Sequence, residues 1–157
     1  VDQIEDLESE IVRQGHAYWV ARKGDRVLPS RADFDPLLEI PRLIPSIILF
    51  DVLREPLDFV YRLIGSRIRA HLMRDLTGVR MSSLDYQDAG SVIWGHQAWV
   101  VEHAAPRIVR PPYVGPHKDF LFIEAVILPL GSGTQVDKLM VFADFIRTLR
   151  PRVDPRG

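Results

Sequence analysis

The chain contains no cysteine, which excludes disulfides, thiolate zinc centres, iron–sulfur clusters and thiol nucleophiles together. Net charge is nearly absent too: 20 Lys+Arg against 21 Asp+Glu leave a formal −1 over 157 residues. That balance supplies no overall field to draw in nucleic acid or an acidic membrane surface, so neither is expected as a partner. No apolar run approaches the roughly 20 residues of a membrane helix, and the opening stretch Val1–Gln14 is too acidic for a signal peptide. A cytoplasmic location is the expectation. Gly-rich phosphate loop, His-Glu-x-x-His zinc motif and nucleophile elbow are all missing. The carboxylates form no glycosidase-like pair, and there are no internal repeats.

What is present suits one globular core: 46% hydrophobic and 26% charged residues in a chain of single-domain length. Ile4, Leu7, Ile11, Tyr18 and Ala21 follow a three-four spacing that predicts a helix from Ile4 to about Lys23. Acidic residues crowd its start, and Arg22 and Lys23 sit at its end, which complements the helix dipole. Val12 and Trp19 form a second apolar line beside the first; one of the two stripes is expected to pack on the domain with the other at the surface, or the helix forms a dimer. Pro29, Pro36, Pro41 and Pro45 forbid a long helix between Leu28 and Ser46. Asp35-Pro36 suits the start of a single turn over Pro36–Glu39, with Leu37, Leu38, Ile40, Leu43 and Ile44 expected against a sheet.

Ile47–Leu53 and Asp58–Ile64 are rich in β-branched and aromatic residues and predict an antiparallel hairpin. Alternation puts Phe59, Tyr61 and Leu63 on one face of the second strand and Val60, Arg62 and Ile64 on the other. Gly65-Ser66 opens a short helix to about Met73, and Asp75 to Gly78 reads as a turn. Asp88–Ala104 predicts a longer helix with Val92, His96, Trp99, Val100 and His103 on one face, stopped by Pro106. Three strands follow, Arg107–Tyr113, Phe120–Leu130 and Lys138–Phe145. With no helix between them, the fold class is α+β, a five-stranded antiparallel sheet carrying helices on one face. Residues 1–25 form an N-terminal helix, 26–146 the domain, and 147–157 a basic tail expected to be solvated.

The segments LPSRADFDPLLEIPRLIPSIILFDV, FVYRLIGSRI and RDLTG, in that order and spacing, strongly resemble a PAS-like family of alphaproteobacterial proteins of unknown function. The resemblance spans about Tyr18 to Phe145. It implies spatial strand order 2-1-5-4-3 and a pocket enclosed between sheet and helices. It also implies a sensory or signalling module that binds a small ligand or a protein partner, dimerises, and has no catalysis of its own. A cysteinyl-flavin adduct is excluded because no cysteine exists. No kinase, cyclase or DNA-binding segment follows, so output through a homodimer or a separate signalling protein is expected.

Candidate ligand-binding residues are Tyr61, His71, Arg74, Trp99, His103 and Glu124. His71 and Arg74 could close over a carboxylate or phosphate, Arg74 by its fork geometry, although a solvated helix face with Arg67 and Arg69 is the simpler reading. Trp99 is read as core and Trp94 as a partner surface. His96 and His103, seven apart, stand about 10.5 Å apart along a helix and cannot share one metal, so no metal site is expected. Either could be a lone axial haem ligand, as the resemblance allows, but no haem motif accompanies them. Glu124 interrupts an apolar strand and needs a cation or water, with Arg62 or Arg107 as partner. Asp51 and Asp144 are expected on the solvent face. A second reading, a small cone-pocket isomerase or hydratase, would use His103, Glu124 and Tyr61 together. A third is a pocketless dimeric adaptor.

Overall fold

The computed structural model describes residues 3–117 and 119–147. Of the expected tail, only Arg147 falls among them. Five antiparallel strands form one sheet: β1 (Ile47–Leu53), β2 (Asp58–Ile64), β3 (Arg107–Val109), β4 (Phe120–Ser132) and β5 (Gln135–Arg147). Their order is β2-β1-β5-β4-β3, the order the resemblance implied. The β4–β5 hairpin is the spine of the sheet. Its tight turn is possible because Gly133 takes a φ of 60°, which an L side chain adopts only with strain. β3 is shorter than expected, since Pro111 and Pro112 cannot donate to a ladder.

Both faces of the central strands are apolar, so both must be covered. On β1 and β5, Phe50, Val52, Leu139, Val141, Ala143 and Phe145 belong to one core cluster. Ile47, Leu49, Met140 and Phe142 belong to a second cluster, on the opposite face by strand alternation. The first face lies under α3 (Ser66–Arg69), the irregular stretch after it, and α4 (Val92–His103). The second lies under α1 (Glu10–Lys23) and the Pro-rich lead-in, which includes the single-turn α2 (Pro36–Glu39) and the 3-10 turn Pro41–Ser46.

Several sequence expectations need correction. The first helix begins at Glu10, not Ile4, because the Ser9 hydroxyl caps it by accepting from the Val12 N–H at 3.1 Å. Its buried side chains are Val12, Tyr18 and Trp19, while Ala21 is exposed. Both apolar lines therefore pack on this chain's own sheet, Leu7 and Tyr18 from the first and Val12 and Trp19 from the second. Leu37 and Leu38 are 71% and 79% exposed rather than against the sheet. On β2, a register shift opposite Leu49/Phe50 skips Arg62. This bulge inverts the alternation beyond it, so Ile64 joins Phe59 and Tyr61 in the first core and Leu63 turns outward. On α4 the buried residues are Trp94, Gln97 and Val100, capped by Ser91, and Val92 is exposed.

Candidate functional site

Between the first sheet face and the α3–α4 layer lies a cavity of about 910 Å³. Its floor is Ile48 and Phe50 of β1, Tyr61 of β2, Ile123, Ala125 and Ile127 of β4, and Val141, Ala143 and Phe145 of β5. Ala125 and Ala143 sit mid-sheet, where a larger residue would fill the space. The roof comes from Ile68, Leu72, Leu76 and Leu84 together with Ile93 and Gln97 of α4. Trp94 anchors that helix by packing edge-on against Phe59, ring centroids 5.0 Å apart at 79°. Met73, Arg74, Asp85, Tyr86 and Val114 are lining residues that are also exposed, and they mark the mouth.

Few polar groups interrupt this apolar wall. The Tyr61 hydroxyl donates to Gln87 Oε1 at 2.6 Å, and burial pushes its pKa up, which keeps it a protonated donor. His71 Nδ1 and the Tyr113 hydroxyl share a hydrogen bond of 2.7 Å. The imidazole stacks on Phe145 at 3.8 Å between centroids. Gln97 is 2% exposed, and its Nε2 has no hydrogen-bond partner. An unmet buried donor of this kind costs about 1–3 kcal/mol. Replacement by leucine, of similar bulk, should therefore raise the stability of the empty protein by about 1 kcal/mol, measured by urea denaturation.

Desolvation, then the neighbouring His117 and Arg67 charges, lower the His71 pKa from its ordinary 6.5. His16 and His96 are lowered as well, chiefly by desolvation. The folded state thus binds these protons less readily than the unfolded chain. Stability is undiminished above 6.5, declines as the pH falls below it, and levels off below the folded values. Denaturation midpoints at pH 7.5 and 5.5 should differ in that direction (on the order of the unperturbed histidine range), and His71→Gln should shrink the difference.

Three of the six expected ligand residues, Tyr61, His71 and Arg74, line the cavity, and three do not. His103 is exposed and stacks on the half-buried Trp99 at 4.2 Å between centroids, with Arg107 over the other ring at 4.7 Å. Trp94, at 8% exposure, is a core residue rather than a surface one, and Trp99, expected in the core, is half-buried against it. Neither His96 nor His103 is among the lining residues, and α4 presents Ile93 and Gln97 there instead.

Glu124 faces the opposite side of the sheet, fully buried. Its carboxylate accepts from the Glu8 N–H at 3.1 Å and the Ser9 N–H at 2.7 Å. Its cation is Arg110 at 3.0 Å, not Arg62, which pairs with Asp51, nor Arg107. Asp144 is drawn into the same cluster, accepting from the Ser9 hydroxyl at 2.7 Å and pairing with Arg67 at 3.0 Å. The group binds the start of α1 to the sheet. Sequence reasoning missed Gln97, Gln87 and Tyr113 as cavity residues. Only Gln97 left a signal, as the one polar member of a Trp94–Gln97–Val100 stripe.

An antiparallel sheet in this order, with a roofed apolar cavity on one face, is a PAS-like fold. The chain belongs to the PAS domain family: the family model described as a PAS domain matches residues 7–141. Among solved structures, it is similar to a sensory box sensor histidine kinase from Vibrio cholerae. The two are 13% identical, with 86% of this chain and 99% of that chain covered and a TM-score of 0.50. At that identity the likeness concerns the fold. No curated protein matches the sequence. No helix among the described residues is long and apolar enough to cross a membrane.

Proposed function

We propose that this PAS domain is a cytoplasmic sensory module that holds a small, mostly apolar molecule in its cavity and signals occupancy through α1. The observation that carries the reading is the cavity itself, about 910 Å³ bounded by apolar side chains, within the range typical of small-molecule sites. Val109 and Pro111 line it, and Arg110 between them reaches Glu124 on the far face. Glu124 in turn holds the Glu8 and Ser9 N–H groups. A ligand that displaces the end of β3 shifts Arg110, and with it the grip on α1, as a change in population between two packings. A second copy of the chain or a separate signalling protein would read the position of that helix.

The isomerase-like reading needs Tyr61, His103 and Glu124 on one cavity, whereas His103 is exposed and Glu124 lies across the sheet. The cavity weighs against a pocketless adaptor. Native mass spectrometry of freshly purified full-length protein should show a bound small molecule, and a visible spectrum reports any haem or flavin. Ala143→Leu should fill the floor and lower ligand affinity about fivefold or more, since over-packing costs on the order of 1–3 kcal/mol. Absence of any retained mass, together with no thermal shift across an apolar ligand panel, would sink the sensing proposal. The homodimer is tested separately by light scattering on the full chain. Deleting residues 1–25 is unsuitable, because it would bare Val126, Leu128, Met140 and Phe142.

A further inference from the structure

We propose that the molecule held in the cavity is uncharged and carries a carbonyl-type acceptor for Gln97, the rest of it being hydrocarbon. An acyl ester, amide or ketone fits this description, and a free carboxylate or phosphate does not. The inference rests on the ligand-binding reading above and names the ligand's chemistry. Gln97 is nearly fully buried, lines the cavity and has an unpartnered Nε2 donor. The Tyr61 hydroxyl is engaged by Gln87 and His71 Nδ1 by Tyr113. Among the described lining residues, Gln97 Nε2 is the fully buried donor without a partner, and such a donor favours any occupant that supplies an acceptor.

Charge is excluded by the walls. Among the described lining residues, Arg74 is the one Lys or Arg, and it is exposed at the mouth. An anion placed deeper would lose its water without gaining a cation. Apart from Tyr61, the floor is Ile, Val, Ala and Phe, which rewards hydrocarbon by area removed from water.

The test uses full-length protein and three probes of equal chain length, 2-decanone, decane and decanoate. Binding is followed by tryptophan fluorescence in the parent protein and in Gln97→Leu. The ratio of decanone to decane affinity should fall about fivefold in the variant, the worth of one hydrogen bond, while decane affinity is retained. Comparing ratios cancels the differing hydrophobicity of the probes. Decanoate should bind more weakly than decanone. An unchanged ratio with decane still bound overturns the Gln97 assignment alone and leaves the cavity reading standing. Decanoate binding tightest, with that preference lost in Arg74→Ala, overturns it in favour of an anion held at the mouth. Failure of all three probes to bind either protein overturns both this inference and the ligand-binding reading.

Discussion

Glu124→Ala should destabilise the protein by about 3–5 kcal/mol, the usual cost of removing one partner from a buried ion pair. In a chain of this length that is roughly 10 °C in Tm. The Glu8 and Ser9 N–H groups lose their acceptor, and the Arg110 guanidinium loses its near carboxylate at 3.0 Å and keeps only Glu8 at 3.9 Å. Arg110 is only partly in water, at 29% side-chain exposure, with its Nε buried without a partner and its guanidinium 4.4 Å over the Phe122 ring. Glu124→Gln keeps an acceptor for one N–H but loses the charge, so its cost should be smaller. Thermal and urea unfolding would measure both. Hydrogen exchange at Glu8 to Val12 should rise in either variant even under conditions where the sheet remains protected. If exchange there is unchanged, Glu124 does not hold α1, and the relay through Arg110 falls with it.

Gly15→Ala should be the second large effect, and opposite in sign to what helix propensity alone expects. In an exposed helix this change gains up to about 1 kcal/mol. Here a Cβ at position 15 would lie 2.3 Å from the Phe142 ring, closer than real contacts allow. Phe142 is fully buried and hydrogen-bonded in register with both β1 and β4, so α1 must lift instead. Over-packing of this kind costs typically about 1–3 kcal/mol. Gly95→Ala on α4 is the matched control, since nothing lies within 4 Å of its Cβ position, and it should be neutral or stabilising. The two melting temperatures measured side by side decide whether close approach of α1 to the sheet, rather than helix composition, sets stability.

Much of the architecture is legible along the chain because the strands state their own boundaries. Ile47–Leu53 and Asp58–Ile64 are runs of β-branched and aromatic residues bounded by Pro and Gly, and a period of 2 needs no partner to be recognised. The helices are less legible. On α4 the structure turns Trp94 and Gln97 inward with Val100, rather than Val92 and His96, because α1 and α4 both carry apolar residues around more than one side. Only the neighbouring surface then decides whether Val12 or Ile11, Gln97 or His96, turns inward. The β2 bulge is invisible for a similar reason, as an extra residue is defined only against the strand beside it.

Candidate site residues divide along the same line. Tyr61 follows from strand alternation, and His71 and Arg74 from their place after the strand-to-helix junction. Glu124 stands out in the sequence as a carboxylate amid apolar neighbours, but which face it takes depends on a parity that Phe120–Ser132 alone does not reveal. Its immediate neighbours Ile123 and Ala125 do line the cavity, one residue step away in a pattern of period 2.

Composition, turn residues and local periodicity thus determined by themselves that the chain would form a five-stranded antiparallel sheet with helices, without thiol chemistry and without a net field. Tertiary structure alone decided that α1 closes the second face, that Glu124 fastens it there, and that Gln97 roofs a cavity with a donor unmet. The physical reason is that strand and turn preferences act between residues close in sequence. Burial, ion pairing and empty volume arise instead between elements, here across as many as 135 positions of chain from Ser9 to Asp144.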